Sequence, residues 1–505
     1  MSQSSFPARV THSPWMKKLP MFALLFLVSA IAVGCAPKGI YPGLETLFPP
    51  QRAEMDASIN AIAGQWPRTR WWEDYRDPQL NRLVERALAG SPTMEIASKR
   101  VEQARTQVDL ANSSTRLQLT ALGAINRQRV SRNGFLGPFA TDEPAMGMTG
   151  PWYTQGIAGA VSTLNLDIWG TQRSVVDAAI GLENARIAER AAVELKVAGN
   201  VTRLYFHMQA LLKKVDLLTQ TRASAAQGQA LHQARAERGL ESYTPDAHAR
   251  MASLQVDQRM SLAQSEYAQL REALRALMGA GPHDELSIAS VGLPDADFGV
   301  PDSLSYELLA RRPDLQVSRW YVQSSFNQID AARAAYYPSF DIKAFIGVDA
   351  LHLDDLLTHS SRQFNLLPGF TLPIFDGGRL DANLANAETA SQIFIQQYNQ
   401  AVLNAVRDVA VMATRVQTNE GEQALQIERV EQATFIWKSV TAHLDQGLIA
   451  AASADEARIP LLAQQMEHLD IRERLLVDQI SLVEALGGGY RAKCPVRQSR
   501  IVCGR

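Results

Sequence analysis

The sequence predicts an α+β membrane protein. Four strands per chain contribute to a shared transmembrane β-barrel, and a long α-helical barrel continues it. Three observations predict this class. The chain is internally duplicated, and each copy has the order helix, strand, loop, strand, long helix. The helical runs are too long for a globular domain. An export signal and strands with one apolar face are present, yet no run of eighteen apolar residues follows Cys35. A chain of this kind spans a bilayer only with strands that close on themselves.

Residues 1–34 have the pattern of a signal peptide. Lys17-Lys18 is the positive region, and Met16 would make an ordinary signal start. Met21 to Val33 is the apolar run, short for a membrane span. It ends in Ala32-Val33-Gly34-Cys35, which resembles a bacterial lipoprotein cleavage site, with Ala32 where leucine is usual. Cys35 is therefore the expected lipidated first residue. Ala36 is not aspartate, which points to the outer membrane. An ordinary signal peptide with an incidental cysteine is the plainer alternative.

Residues 35–76, rich in Pro, Trp and polar residues, are expected to lie extended over the body. Asp77-Pro78 caps a helix to about Leu88. A second helix runs from Pro92 to about Ser114. Strands are predicted over 117–128 and 153–168, separated by a glycine- and proline-rich loop at 129–150. Trp169-Gly170 turns the chain into a long helix reaching Arg222 or beyond. Gly239-Leu240 interrupts it, and a helix from Pro245 to Met278 follows. Residues 279–301 read as a linker. A short helix over 303–310 precedes Arg311-Arg312-Pro313, where Pro313 suits a first helical position. That helix ends at about Ala335. From Ser339 the period is two, with Phe340, Ile342, Ala344, Ile346 and Val348 on one face and Phe345 as the exception. A polar loop with Asp354, Asp355 and His359 leads to a second strand over 364–374. Asp376-Gly377-Gly378 opens a helix to about Leu444. Gly447-Leu448 interrupts it, and a last helix ends at Leu486.

The two halves superpose in sequence. A shift of 221 puts Pro92 on Pro313 and Val108 on Ile329; one of 206 puts Trp169 on Phe375 and Arg173 on Arg379; one of 208 puts Gly239-Leu240 on Gly447-Leu448. Repeat 1 is set at 77–287, a linker at 288–303, repeat 2 at 304–490, and a basic tail at 491–505. The helix after Gly378 spans about 100 Å at ~1.5 Å per residue. Its apolar or small residues at 380, 384, 387, 391, 394, 398, 401 and 405 follow coiled-coil spacing, with a stutter at Val409. Ile393, Val402 and Val406 form further apolar faces, so neighbours are expected on both sides. Four strands cannot close a membrane barrel, whose smallest form has about eight. The barrel must be shared, which predicts a homo-oligomer.

Several motifs then carry a resemblance. Arg311-Arg312-Pro313-Asp314-Leu315, Ala331 to Ser339, Pro373-Ile374-Phe375-Asp376-Gly377-Gly378-Arg379 and Ala485 to Tyr490 resemble the TolC-like outer membrane factors. Leu166 to Gly170 and the segment from Trp71-Trp72 to Leu80 resemble the NodT/OprM-type lipoprotein branch. The resemblance covers about 66–490. It implies a homotrimer with twelve strands and twelve long helices, docked on a periplasmic adaptor protein and an inner-membrane pump of the RND class. It implies a passive, gated duct for small molecules. The same family also serves type I protein secretion, and a lipid-anchored coiled-coil spacer without a pore is the non-channel alternative.

The resemblance also implies sites. Gly239, Leu240, Gly447 and Leu448 occupy the adaptor-contact positions, although glycine also stops helices. Glu456, Asp455 and Asp246 are the expected periplasmic gate residues, where a carboxylate ring favours cations. One usually acidic gate position is Ser453 here. Acidic residues also suit any helix start. Near-neutral net charge gives no reason to expect a nucleic-acid partner. No HExxH, GxSxG or P-loop occurs, so no enzyme, metal or cofactor is expected beyond the lipid on Cys35. Cys494 and Cys503 are left open between a disulfide and free thiols.

Overall fold

The computed structural model describes residues 63–134, 150–295, 299–301, 310–449 and 451–492. Cys35, Cys494, Cys503, most of the 129–150 loop and nearly all of the expected 303–310 helix lie outside them. Seven helices are named: α1 Pro78–Gly90, α2 Pro92–Ser113, α3 Thr171–Glu237, α4 Tyr243–Leu277, α5 Pro313–Ala334, α6 Arg379–Asp445 and α7 Ala451–Ala485. Four long strands are β1 Gln118–Arg129, β2 Trp152–Leu166, β3 Ser339–Ala350 and β4 Arg362–Thr371. The duplication is visible in element lengths. α2 and α5 each have 22 residues, α3 and α6 each 67, and α4 and α7 each 35. No described helix is long and apolar enough to cross a membrane.

Two compact units cut across the repeats. The described part of one comprises Arg105–Gly181 and Val322–Phe394. Its strands form one antiparallel sheet in the order β1-β2-β3-β4. Close helix approach here uses small residues. Ser324 Oγ donates to the Ala178 carbonyl at 2.9 Å, and a side chain at Gly181 would stand 3.0 Å from Ser324 Cβ. Ser325 donates to Ser391 at 3.0 Å, and Arg333 bridges to Glu388 at 3.1 Å.

The second strand of the second hairpin ends earlier than its alternation predicts. β4 stops at Thr371, and Leu372-Pro373-Ile374 lie outside the ladder. Thr371 stands opposite Ser339, the first residue of β3, so the residues beyond it have no partner in that strand. The long helix before Gly239 runs beyond Arg222 to Glu237, as expected. The polar loop at 351–362 carries two short 3₁₀ turns, Leu353–Asp355 and His359–Ser361. Leu353 and Leu356 fold over Gly156, so the loop has an apolar underside.

The described residues of the other unit fall within Glu45–Ala104, Leu182–Tyr321 and Ile395–Arg505. Its core joins Trp71, Trp72 and Tyr75 to Leu80, Val84, Tyr205, Phe206, Leu274 and Ile480. Asp77 caps α1, accepting from the Gln79 N–H at 2.8 Å and the Leu80 N–H at 3.3 Å. Residues 285–295 of the linker have no regular structure, Val300–Pro301 pairs in parallel with Ala63–Gly64, and side chains satisfy part of the linker backbone. Gln79 accepts from the Ala289 N–H at 2.9 Å, Gln209 accepts from the Val291 N–H at 2.9 Å, and Arg472 donates to the Leu293 carbonyl at 2.9 Å.

The Arg311-Arg312-Pro313 motif is structural. Arg312 is 8 % exposed and donates to the Ala485 carbonyl at 3.1 Å and to Asp314 at 2.7 Å. The Arg311 guanidinium lies 4.7 Å from the Trp66 ring centre. Gly487 has φ +89° and its Cβ position is 2.1 Å from the Arg311 carbonyl, so only glycine fits.

Candidate functional site

The sheet has two chemically different faces. Register aligns Leu119 with Ser162, Leu166 with Phe340, Phe340 with Phe370 and Ile346 with Phe364. Period-two alternation then places Leu119, Ile125, Ile346, Phe364 and Phe370 on one face, where they are 65–71 % exposed. The opposite face carries Gln118, Asn126, Gln155, Asp341, Lys343 and Asp349. Gln155 donates to Asp349 at 3.1 Å, and Lys343 lies 3.4 Å from Asp341. β1 and β4 are edge strands. Ten consecutive residues of β4 are exposed. A long, exposed, apolar edge is a template for pairing with another chain.

Phe345, the exception in the β3 alternation, has a structural reason. Gly159 and Gly347 lie opposite each other in register. The Phe345 ring covers both, 2.8 Å from each ideal Cβ position. The aromatic supplies the contact that the glycines lack. Sequence alternation could not find this, because it depends on cross-strand register.

The helix seam on α6 is found largely as spaced. Leu380, Leu384, Ser391, Tyr398, Ala405, Val409 and Val416 are all buried. Ile395 and Val402 on a second seam are 1 % exposed each, whereas Ile393 is 53 % exposed.

The predicted adaptor-contact residues sit at two matching turns. Gly239 and Gly447 both have φ +71°. Leu240 N–H donates to the Arg235 carbonyl at 2.9 Å, and Leu448 N–H to the His443 carbonyl at 3.0 Å. These six-to-one bonds are Schellman caps. They leave Leu240 and Leu448 69 % and 67 % exposed.

Two of the three predicted gate residues face α3. Glu456 Oε1 lies 3.7 Å from His232 Nε2, and His232 Nδ1 lies 3.0 Å from Glu241 Oε2. With its amide turned to donate, Gln227 reaches both Asp455 oxygens at 2.8 and 3.1 Å. Asp246, in the first turn of α4, shares no hydrogen bond or ion pair with these groups among the described residues. The Ser453 side chain lies outside those described. His232 and Gln227 were not predicted; no local pattern marks them, since both act across a helix pair.

Comparison with known proteins agrees with this architecture. The sequence profile of the outer membrane efflux protein family matches residues 83–280 and 304–488. The chain is 48 % identical over 443 residues to the multidrug resistance outer membrane protein MdtP of Shigella flexneri, covering 88 % of this chain and 91 % of that protein. It is 38 % identical over 474 residues to the putative multidrug resistance outer membrane protein MdtQ of Escherichia coli K12, covering 93 % and 97 %. Among solved structures, VceC of Vibrio cholerae matches with TM-score 0.71 at 26 % identity, over 84 % of this chain and all of that one. The CmeC outer membrane channel of Campylobacter jejuni matches in fold with TM-score 0.79 at 20 % identity, over 91 % and 96 %. The chain belongs to the outer membrane efflux protein family.

Proposed function

We infer that this chain is the outer membrane channel of a tripartite efflux system, a passive duct for small toxic molecules. The observation that carries the reading is the four-stranded sheet with one apolar face and two unpaired edges. Such a sheet is stable in a bilayer only when its edges are joined to other copies. Three copies would give a twelve-stranded barrel with the polar face lining the lumen. Exposed apolar residues on the helices, Ile393 among them, supply the seam for a second copy. Small molecules are favoured over exported proteins because MdtP and MdtQ carry multidrug resistance names. The tip leucines 240 and 448 would meet a periplasmic adaptor, which couples to an inner-membrane pump of the RND class. Cys35 would carry the lipid. Glu456 and Asp455 would line the periplasmic gate.

The edge strands provide the test. Ala121→Cys on β1, combined in turn with Phe364→Cys, Leu366→Cys or Phe370→Cys on β4, should yield disulfide-linked trimers in outer membranes for at least one register. Monomers at every register overturn the shared barrel.

A further inference from the structure

The two helical hairpins, α3–α4 and α6–α7, are built on one offset. Their helices have equal lengths and start 208 positions apart, Thr171 against Arg379 and Tyr243 against Ala451. The same offset matches contacts inside the hairpins. Leu218 and Val256 share a buried cluster between α3 and α4, and their equivalents Gln426 and Gln464 are hydrogen-bonded at 3.0 Å. Leu211 and Leu270 pack in that cluster, and their equivalents Asn419 and Asp478 are hydrogen-bonded at 2.7 Å. In the unit that holds these contacts, α4 packs on α3, α3 on α7 and α7 on α6.

The middle seam, α3 on α7, shows how a hairpin of one repeat meets a hairpin of the other. Leu217 and Leu462 share a buried cluster there, 5 % and 2 % exposed. Arg458 donates to Gln220 at 3.3 Å, and Lys214 donates to Asp470 at 3.0 Å, so the two helices run antiparallel. The duplicates of these faces lie on α6 and α4, the two outer helices of the row. Leu425 stands for Leu217 and Leu254 for Leu462, and they are 67 % and 60 % exposed. Glu428 stands for Gln220 and Arg250 for Arg458. Both are exposed. Neither has a side-chain hydrogen bond or ion pair, and none joins α4 to α6, among the described residues.

We propose that α4 of one copy docks on α6 of the next as α7 docks on α3 within the chain, setting Leu254 on Leu425 and Arg250 against Glu428. This rests on the shared barrel proposed above and names the helix contact that accompanies it. The occupant is a second copy because each free face has its matching face on the same chain, apolar to apolar and acid to base. A seam that joins unlike surfaces passes from copy to copy and closes as a ring. The two seams differ in charge. Inside the chain, His207 pairs with Glu473 and Lys214 with Asp470. At the equivalent positions between copies, Arg415 faces Ser265 and Glu422 faces Leu262, and neither can form an ion pair. Of the four mapped contacts, Arg250 with Glu428 is the charged one, and it fixes the register of the subunit seam.

The test uses the full-length protein in outer membranes, with Cys494→Ser and Cys503→Ser removing the tail thiols. Leu254→Cys with Leu425→Cys should give covalent trimers on mild oxidation. Phe435 maps opposite Ala247, so Leu262→Cys with Phe435→Cys stands roughly 20 Å out of register at ~1.5 Å per residue and should stay unlinked. Added to the first pair, Arg250→Glu or Glu428→Arg alone should lower the linked fraction about fivefold or less, and the two reversals together should restore it. If positions 254 and 425 stay unlinked in a protein whose β1 and β4 cysteines do link, the seam is overturned and the shared barrel stands. Equal linking of the out-of-register pair, or no recovery in the double reversal, also overturns the seam. Failure of both the helix pair and the strand pairs to link overturns the shared barrel itself.

Discussion

Gly159 and Gly347 show how single residues set the sheet. Each would place a Cβ within 2.8 Å of the strand opposite, at Gly347 Cα from one side and at the Ala158 carbonyl from the other. Gly347→Ala should therefore cost about 1–3 kcal/mol, as overpacking does, and lower the thermal midpoint of the purified protein. An unchanged midpoint would mean the strands have room to part. His207 is a second such residue. It joins three helices, through Nε2 to Glu266 on α4 at 3.0 Å and through Nδ1 to Glu473 on α7. The Glu473 hydrogen bond is the main cause that raises its pKa from 6.5 to about 9, against the opposing effect of burial. A raised folded-state pKa stabilises fully below the unfolded value and the gain is lost as pH rises through the folded one. Thermal stability should thus fall between about pH 6.5 and about pH 9, and His207→Gln should flatten that slope. Equal slopes in both proteins would remove His207 from the account.

Elements were legible in the sequence where local chemistry decides them. Pro92 and Pro313 open helices of equal length, and Asp77 caps α1 as its position predicts. Alternation over-extends the strand after the polar loop, because it says nothing about where the partner strand begins. The candidate gate was half legible. Acidic residues after the second tip are visible as a string, but their partners on α3 are not. Glu456 pairs with a histidine that sits over two hundred positions earlier, and no spacing rule connects them. The geometry makes the pair testable as a unit. If Glu456 and His232 hold the two helix hairpins together, Glu456→Ala and His232→Ala should each raise single-channel conductance in planar bilayers. The double variant should then add little to either single one, as expected for two ends of one contact. Fully additive changes, or none, would separate Glu456 from His232.

Duplication is the property of the whole molecule that the sequence carries most openly, and it has a consequence for assembly. The two tips have the same cap geometry and present Leu240 and Leu448 with nearly equal exposure. A trimer would therefore offer six near-equivalent tips from three chains, so an adaptor would meet similar surfaces at alternating positions. Loss of one leucine per chain removes half of these contacts, and loss of both removes all. Multivalent contacts lose avidity steeply when only some remain, because the later binding events depend on the earlier ones. Leu240→Asp or Leu448→Asp alone should lower adaptor cross-linking in cells and partly restore sensitivity to exported compounds. The two together should restore it fully, while the amount of trimer in the outer membrane stays unchanged. If one single variant alone equals the double, the tips are not equivalent and only that repeat faces the adaptor. If the double variant still exports, the contact lies elsewhere on the helices.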